Sequence, residues 1–250
     1  MDTSTLTSAT WTLLFAAAFL QGLSKGGMPG VSILAIPLVA MVIPGKAASG
    51  LILPMLILGD LFAVAIYRRH AVWRHLLRLI PCAIVGVIAG WLVLERVDDR
   101  QLRPLIGAIV LAMIALNWWR MRRMGGDMRV PQGWWFPLLM GLAAGATTMM
   151  ANAAGPIMVI YLLAMRLPKA EFIGTGAWYF LIVNCFKVPF SWTLGLITLS
   201  SLKFNLMLCP LVVLGALVGI PLFKRIPQKY FKVVVEVLAA AAALKLLLLP

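Results

Sequence analysis

Long apolar runs set the first limit on what this chain can fold into. Residues 47–67, 76–94 and 102–119 carry few charges, and residues 172–193, 204–223 and 231–249 repeat the pattern. At membrane depth no water takes up backbone N–H and C=O groups, so such runs must close those bonds internally, as helices do. Each run is long enough as a helix to cross about 30 Å of hydrocarbon. Composition agrees: of 250 residues, 62% are hydrophobic and 12% charged, with a mean hydropathy of +0.99. Soluble domains carry about 25% charged residues. The sequence therefore predicts an all-α polytopic membrane protein, with no stretch polar enough to form a separate soluble domain.

The remaining apolar segments are interrupted. Residues 10–23 and 33–43 flank a break holding Gly22, Ser24, Lys25, Gly26, Gly27, Pro29, Gly30 and Ser32. Residues 134–146 and 157–165 flank a second break around Thr147, Thr148, Asn152, Gly155 and Pro156. Segments this short do not span hydrocarbon as ordinary helices. Unwound backbone at membrane depth is tolerated where it is buried in protein or lines a cavity, and paired breaks of this kind mark binding sites in many secondary transporters.

The two halves repeat one another. At a shift of 123, Gly22 falls on Gly145, Lys46 on Lys169 and Ala47 on Ala170. At a shift of 124, Asp60-Leu61-Phe62 falls on Asn184-Cys185-Phe186; at 129, Pro81, Gly86, Gly90 and Arg96 fall on Pro210, Gly215, Gly219 and Arg225. Charge predicts how the halves are oriented. The loop with Arg68, Arg69, Arg74 and Arg78 holds no acid and is expected in the cytoplasm, as is the linker with Arg120, Arg122, Arg123 and Arg129. In the second half the basic loop is the later one, 224–232, while 193–203 holds only Lys203. The expected architecture is two inverted structural repeats, each a broken short-helix hairpin plus three full transmembrane helices. Residues 1–119 form the first membrane repeat, 120–133 a cytoplasmic linker and 134–250 the second repeat, all one integral domain of the cytoplasmic membrane.

A helix that starts after each break exposes unpaired N–H groups and a partial positive charge. Pro29-Gly30 before Val31-Ser32, and Gly155-Pro156 before the next run, suit such starts. Two starts meeting near the midplane would hold an anion, with Ser24, Ser32, Thr147, Thr148 and Asn152 adding donors. The bland alternative is that the glycines permit close packing and the hydroxyls bond the local backbone. Lys25, Asp60, Lys187 and Glu236 fall within or near membrane segments, where an ionisable group is a functional hypothesis by default. Asp60 is expected either to pair with Lys25 or Lys187 or to serve proton coupling, and Lys187 lies about a turn beyond Asn184. Glu236 is expected to snorkel. Gly86 and Gly90, like Gly215 and Gly219, are four apart, a helix-packing signal.

Other chemistries find little to work with. The net charge of +14 sits mostly in short loops, which reads as topology rather than nucleic-acid binding. Cys82, Cys185 and Cys209 are dispersed in apolar runs, against disulfides and a structural zinc site. His70 and His75 share an arginine-rich loop, so neither metal binding nor a cofactor is expected. The opening Met1-Asp2-Thr3 lacks a basic region, so a cleavable signal peptide is not expected. No catalytic triad, P-loop or dinucleotide fingerprint occurs, and the chain is not expected to be an enzyme.

The glycine-rich break, the Pro-Gly-Lys-Ala corner at Pro44–Ala47 and the two halves joined by a basic linker resemble the TauE/SafE family of sulfite exporters. Residues 19–50 and, more loosely, 142–176 carry the resemblance. It implies secondary transport of sulfite, sulfoacetate or related small sulfur anions. It also places Ser24, Lys25, Gly26, Gly27 and Gly30 in one family loop, and Asn152 and Pro156 in the other. The second break departs from the pattern, with Met149 and Met150 where glycines would be expected. The leading expectation is a transporter for a small sulfur-containing anion, coupled to protons or membrane potential, with room for a homo-oligomer. The alternatives are a cation or metal permease using Asp60 and a non-transporting membrane subunit.

Overall fold

The structure, a computed structural model, describes residues 7–26, 31–43, 45–123 and 133–225, with single positions 237, 240, 241, 244 and 248 beyond them. The segment 231–249 with Glu236, most of the 120–133 linker, Gly27, Pro29 and Gly30 thus lie outside the described residues. Among the described residues all regular structure is helical. In chain order the helices are α1 (Ser8–Lys25), α2 (Ser32–Val42), α3 (Gly45–Tyr67), α4 (Trp73–Arg96), α5 (Asp99–Arg123), α6 (Trp135–Ala151), α7 (Gly155–Ala164), α8 (Lys169–Thr193) and α9 (Leu199–Arg225). A single 3-10 turn, Arg68–His70, follows α3. Three of the described helical segments are both long and apolar enough to cross a membrane: Ala47–His70, Trp73–Arg96 and Leu199–Pro221.

Local chemistry accounts for several helix ends. Thr7 caps α1 by accepting from the Thr10 amide at 3.3 Å. Thr198 and Ser201 cap α9 reciprocally: the Thr198 amide donates to Ser201 Oγ at 2.9 Å, and the Ser201 amide donates to Thr198 Oγ1 at 3.1 Å. Pro156 stands in the first turn of α7, where its missing N–H costs nothing. Exposed tryptophans cluster near helix ends, with Trp73 opening α4, Trp118 and Trp119 closing α5 and Trp134 preceding α6, as suits a bilayer interface.

Both breaks are narrower than the sequence suggests. α1 runs through Ser24 to Lys25, and α6 runs through Thr147 and Thr148 to Ala151. The cause is the cost of unpaired backbone in a dry interior, which favours continuing a helix until a residue forces it to stop. In α6 that residue is Asn152, whose φ of 53° is left-handed. Asparagine tolerates this region better than most side chains.

Packing follows a pairwise scheme. α1 lies along α9 and α4 lies along α6, with glycines at both crossings. A Cβ at Gly22 would overlap the Val212 carbonyl oxygen, and one at Gly145 the Ala83 carbonyl oxygen. Likewise, Gly215 meets Phe19 and Leu23, whereas Gly86 meets Leu142 and Ala146. Every one of these contacts has its counterpart at the repeat shifts of 123 and 129. Small residues here let backbones approach directly. Between these pairs, α3 and α8 run antiparallel: Gly50 lies against Leu196, Asp60 against Asn184, and His70 against Gly174.

Candidate substrate site

Four helix ends converge on one cavity of about 110 Å³. Lys25 ends α1, Ser32 begins α2, Asn152 follows α6 and Gly155 begins α7; all four line it. A water molecule occupies about 30 Å³ of liquid, so the space suits an ion of a few heavy atoms. Its polar end is formed by Ser24, Lys25, Asp60, Thr148, Asn152 and Asn184. From there it extends between α3, α7 and the first half of α8.

A continuous polar chain joins the two breaks behind that end. Lys25 Nζ lies 2.6 Å from Asp60 Oδ1, and Asn184 Nδ2 donates to Asp60 Oδ2 at 2.8 Å. Lys187 Nζ donates to Asn184 Oδ1 at 3.3 Å, Thr148 Oγ1 at 3.2 Å and Asn152 Oδ1 at 2.6 Å. Its three N–H donors thus meet three neutral oxygens. Asn152 Nδ2 in turn donates to Ser49 O at 3.2 Å and Ser49 Oγ at 3.1 Å. Buried charge is costly unless it is compensated: Asp60 has the Lys25 ion pair, and Lys187 has three hydrogen bonds to neutral oxygens.

The two lysines have different situations. Lys187 is 1% exposed and sits behind the cavity wall. Lys25 is 12% exposed, lines the cavity, and lies 4.3 Å from the centroid of the Phe180 ring. Such a ring attracts a cation through its quadrupole and holds it against an apolar wall without consuming a hydrogen bond. Among the described residues Asp60, at 0% exposure, meets Lys25 and Asn184 through its two oxygens. The arrangement sets two lysines against one carboxylate, with one lysine and the carboxylate at the cavity and the other lysine behind it. It holds no paired carboxylates, and its one acid is already committed.

Of the expected site residues, the structure brings Ser24, Lys25, Ser32, Asp60, Thr148, Asn152 and Asn184 together at the cavity, with Lys187 directly behind. Two others are placed elsewhere. Gly26 packs on α9, where a Cβ would come within 2.9 Å of Gly219 Cα. Thr147 donates its hydroxyl to the Ala143 carbonyl at 2.7 Å, a local backbone bond. Gly27 and Gly30 lie outside the described residues. Sequence reasoning missed Ser49 and Phe180. Helical spacing would have found both, since Ser49 is eleven residues, about three turns, before Asp60, and Phe180 is four before Asn184. It also passed over Gln21, one turn before Lys25, which is 1% exposed and finds no partner for either amide atom among the described residues.

Fold and site together define a polytopic helical membrane protein with a polar-ended cavity between two interrupted hairpins. The chain belongs to the TauE/SafE family: the profile "Sulfite exporter TauE/SafE" matches residues 14–246. This is a family of exporter-type transporters for sulfite and related anions, not of enzymes. No curated protein and no solved structure matches the chain.

Proposed function

We propose that this protein is a secondary transporter that moves a small sulfur-containing anion, sulfite or an organosulfonate, across the cytoplasmic membrane. The observation that carries the reading is the shared cavity: the first residues of α2 and α7 and the ammonium of Lys25 all border it. Two helix N-termini and a lysine offer N–H donors and positive charge to one oxyanion. Asp60 competes with that anion for Lys25. Protonating Asp60 releases Lys25 to the substrate, which makes Asp60 the coupling residue and moves a proton together with the anion. Both Asp60 oxygens are engaged by Lys25 and Asn184, which favours the anion reading over a cation permease.

In this reading the halves are inverted repeats, supported by the antiparallel packing of α3 on α8 and by the matched glycine contacts. Met158, Leu162, Ile173 and Ala177 line the cavity, whereas their repeat counterparts Ala35, Val39, Ser49 and Leu53 stand off it. One half-pathway is therefore open and the other closed. The open one leads toward the start of α8, which packs on the Arg68–His70 turn, the side that the arginines mark as cytoplasmic. Exchange of the two arrangements would open the site to the other side.

The test is flux in proteoliposomes loaded with sulfite, sulfoacetate, taurine, sulfate or chloride under a proton gradient or a potential. Transport of one sulfur anion should collapse in Lys25→Ala. Transport of a metal cation that survives Lys25→Ala but not Asp60→Asn would favour the cation permease. Absence of flux in every gradient would leave a membrane subunit without transport of its own.

A further inference from the structure

A second and larger cavity, of about 540 Å³, opens where the starts of α4 and α6 meet the end of α7. Its rim carries Arg74 and Arg78, one turn apart on α4, with His75 between them. Both arginines are exposed, and neither meets a carboxylate within 4 Å among the described residues. His75 Nδ1 and Tyr161 Oη lie 3.0 Å apart, which ties the rim to α7. The Glu171 carboxylate acts on His75 from α8 without reaching either guanidinium. The rest of the lining is largely apolar, with Cys82, Pro137, Leu138 and Met165, while Trp134 stands beside them at 79% exposure. From Arg74 to Cys82 is eight residues, about 12 Å along the helix. The adjoining face of α4 is apolar and exposed, with Leu77 and Val85 at 70% and 56%.

We infer that this cavity binds an anionic phospholipid, with its headgroup phosphate between Arg74 and Arg78 and an acyl chain running along Cys82 and Leu138. Two unpaired guanidinium groups at a membrane interface select a phosphate. The change from a charged end at Arg74 and Arg78 to apolar lining at Cys82 and Leu138 selects an amphiphile over a free ion, because inorganic phosphate has no use for the apolar part. Trp134 sits at the level where aromatic side chains anchor in headgroups. The inference needs only that the chain lies in a bilayer, and stands apart from the transport reading.

The full-length protein, stripped of lipid in detergent, is titrated with phosphatidylglycerol or phosphatidylcholine of identical chains, and adducts are counted by native mass spectrometry. At about 1 kcal/mol per arginine, phosphatidylglycerol should be preferred about 30-fold. The Arg74→Gln/Arg78→Gln protein should lose that preference and keep its phosphatidylcholine binding, while Arg96→Gln at the far end of α4 keeps both. Independently of any arginine variant, phosphatidylglycerol with brominated chains should quench tryptophan emission more in the wild-type protein than in Trp134→Phe. Equal binding of both lipids, a preference that survives the double substitution, equal quenching in Trp134→Phe, or displacement of phosphatidylglycerol by millimolar inorganic phosphate would each overturn the assignment.

Discussion

Replacing Asp60 by asparagine isolates the step on which the transport reading depends. The substitution keeps the shape and the contact with Asn184 but removes the charge that faces Lys25 at 2.6 Å. At that separation and an effective dielectric of about 20, the gross Coulomb attraction is about 6 kcal/mol. Most of it is offset by desolvation, yet the site's formal charge still changes. Lys25 and Lys187 against Asp60 give +1; without the carboxylate they give +2. If a quarter of the gross attraction is returned to the substrate, binding tightens by about 1.5 kcal/mol, a little over tenfold. Anion affinity of the purified protein, measured by calorimetry at neutral pH, should therefore rise at least about tenfold in Asp60→Asn. Flux should fall, because a tightly held anion leaves slowly, and an imposed proton gradient should no longer drive it. Stability supplies a second readout. Lys25→Met strands a fully enclosed carboxylate and should cost about 3–5 kcal/mol. Asp60→Asn strands a lysine that reaches the cavity and should cost less. The double variant should recover about 0.5–3 kcal/mol of the summed loss. Unchanged or weaker anion binding in a folded Asp60→Asn protein, or strict additivity in the cycle, would refute competition for Lys25.

Other perturbations probe the surroundings. Asp60→Asn/Lys187→Met restores a formal charge of +1 and should bring anion affinity back toward the wild-type value, read by the same calorimetry. Asn152→Ala should destabilise by about 1 kcal/mol more than Asn152→Gly, because both lose the bonds to Lys187 and Ser49 but only alanine resists the left-handed backbone; thermal unfolding in detergent checks the order. Gly22→Leu should cost at least about 3 kcal/mol by forcing α1 off α9, whereas Gly155→Ala, with nothing within 4 Å of a new Cβ, should stay within about 0.5 kcal/mol. With Cys82, Cys185 and Cys209 replaced, Ala177→Cys should react with an impermeant thiol reagent from the cytoplasmic side, and Leu53→Cys only when the opposite pathway opens. Equal labelling of both from one side would contradict the assignment of open and closed pathways.

The parts of this architecture visible in the sequence are those where residue type and physics point one way. Glycine and proline in apolar surroundings mark the breaks, and Ser32 and Gly155-Pro156 do begin helices. A carboxylate among apolar residues must find a partner, and Asp60 finds Lys25, one of the two lysines expected for it. What escaped was geometry that side-chain type does not encode. Ser24 and Thr147 look like loop residues but lie in helices, since a dry backbone prolongs its helix past residues that would end one in water. Lys25 and Lys187 look alike in sequence. Only their surroundings separate a lysine that faces the cavity from one whose every donor is committed to a neighbouring oxygen.

The repeat correspondence is kept and lost in different places, and the difference has a physical reason. At the crossings it is kept nearly atom for atom: Gly22 on Val212 answers Gly145 on Ala83, and Gly219 on Leu23 answers Gly90 on Ala146. The proposed exchange requires two packings close in energy, so any side chain that spoils one crossing without its partner would bias it. At the polar chain the correspondence is broken: Lys25 stands opposite Thr148, Asp60 opposite Asn184, and Ala63 opposite Lys187. Doubling the first half's residues would place two lysine–carboxylate pairs in the site, which cancels the field, and doubling the second half's would place two lysines with no carboxylate to take up a proton. Dividing the charges unequally leaves one carboxylate, two lysines and three neutral oxygens, an arrangement with a net pull on an anion and a single group to take up a proton. In the proposed exchange the glycines would govern how the halves move, and the unmatched polar residues what they carry.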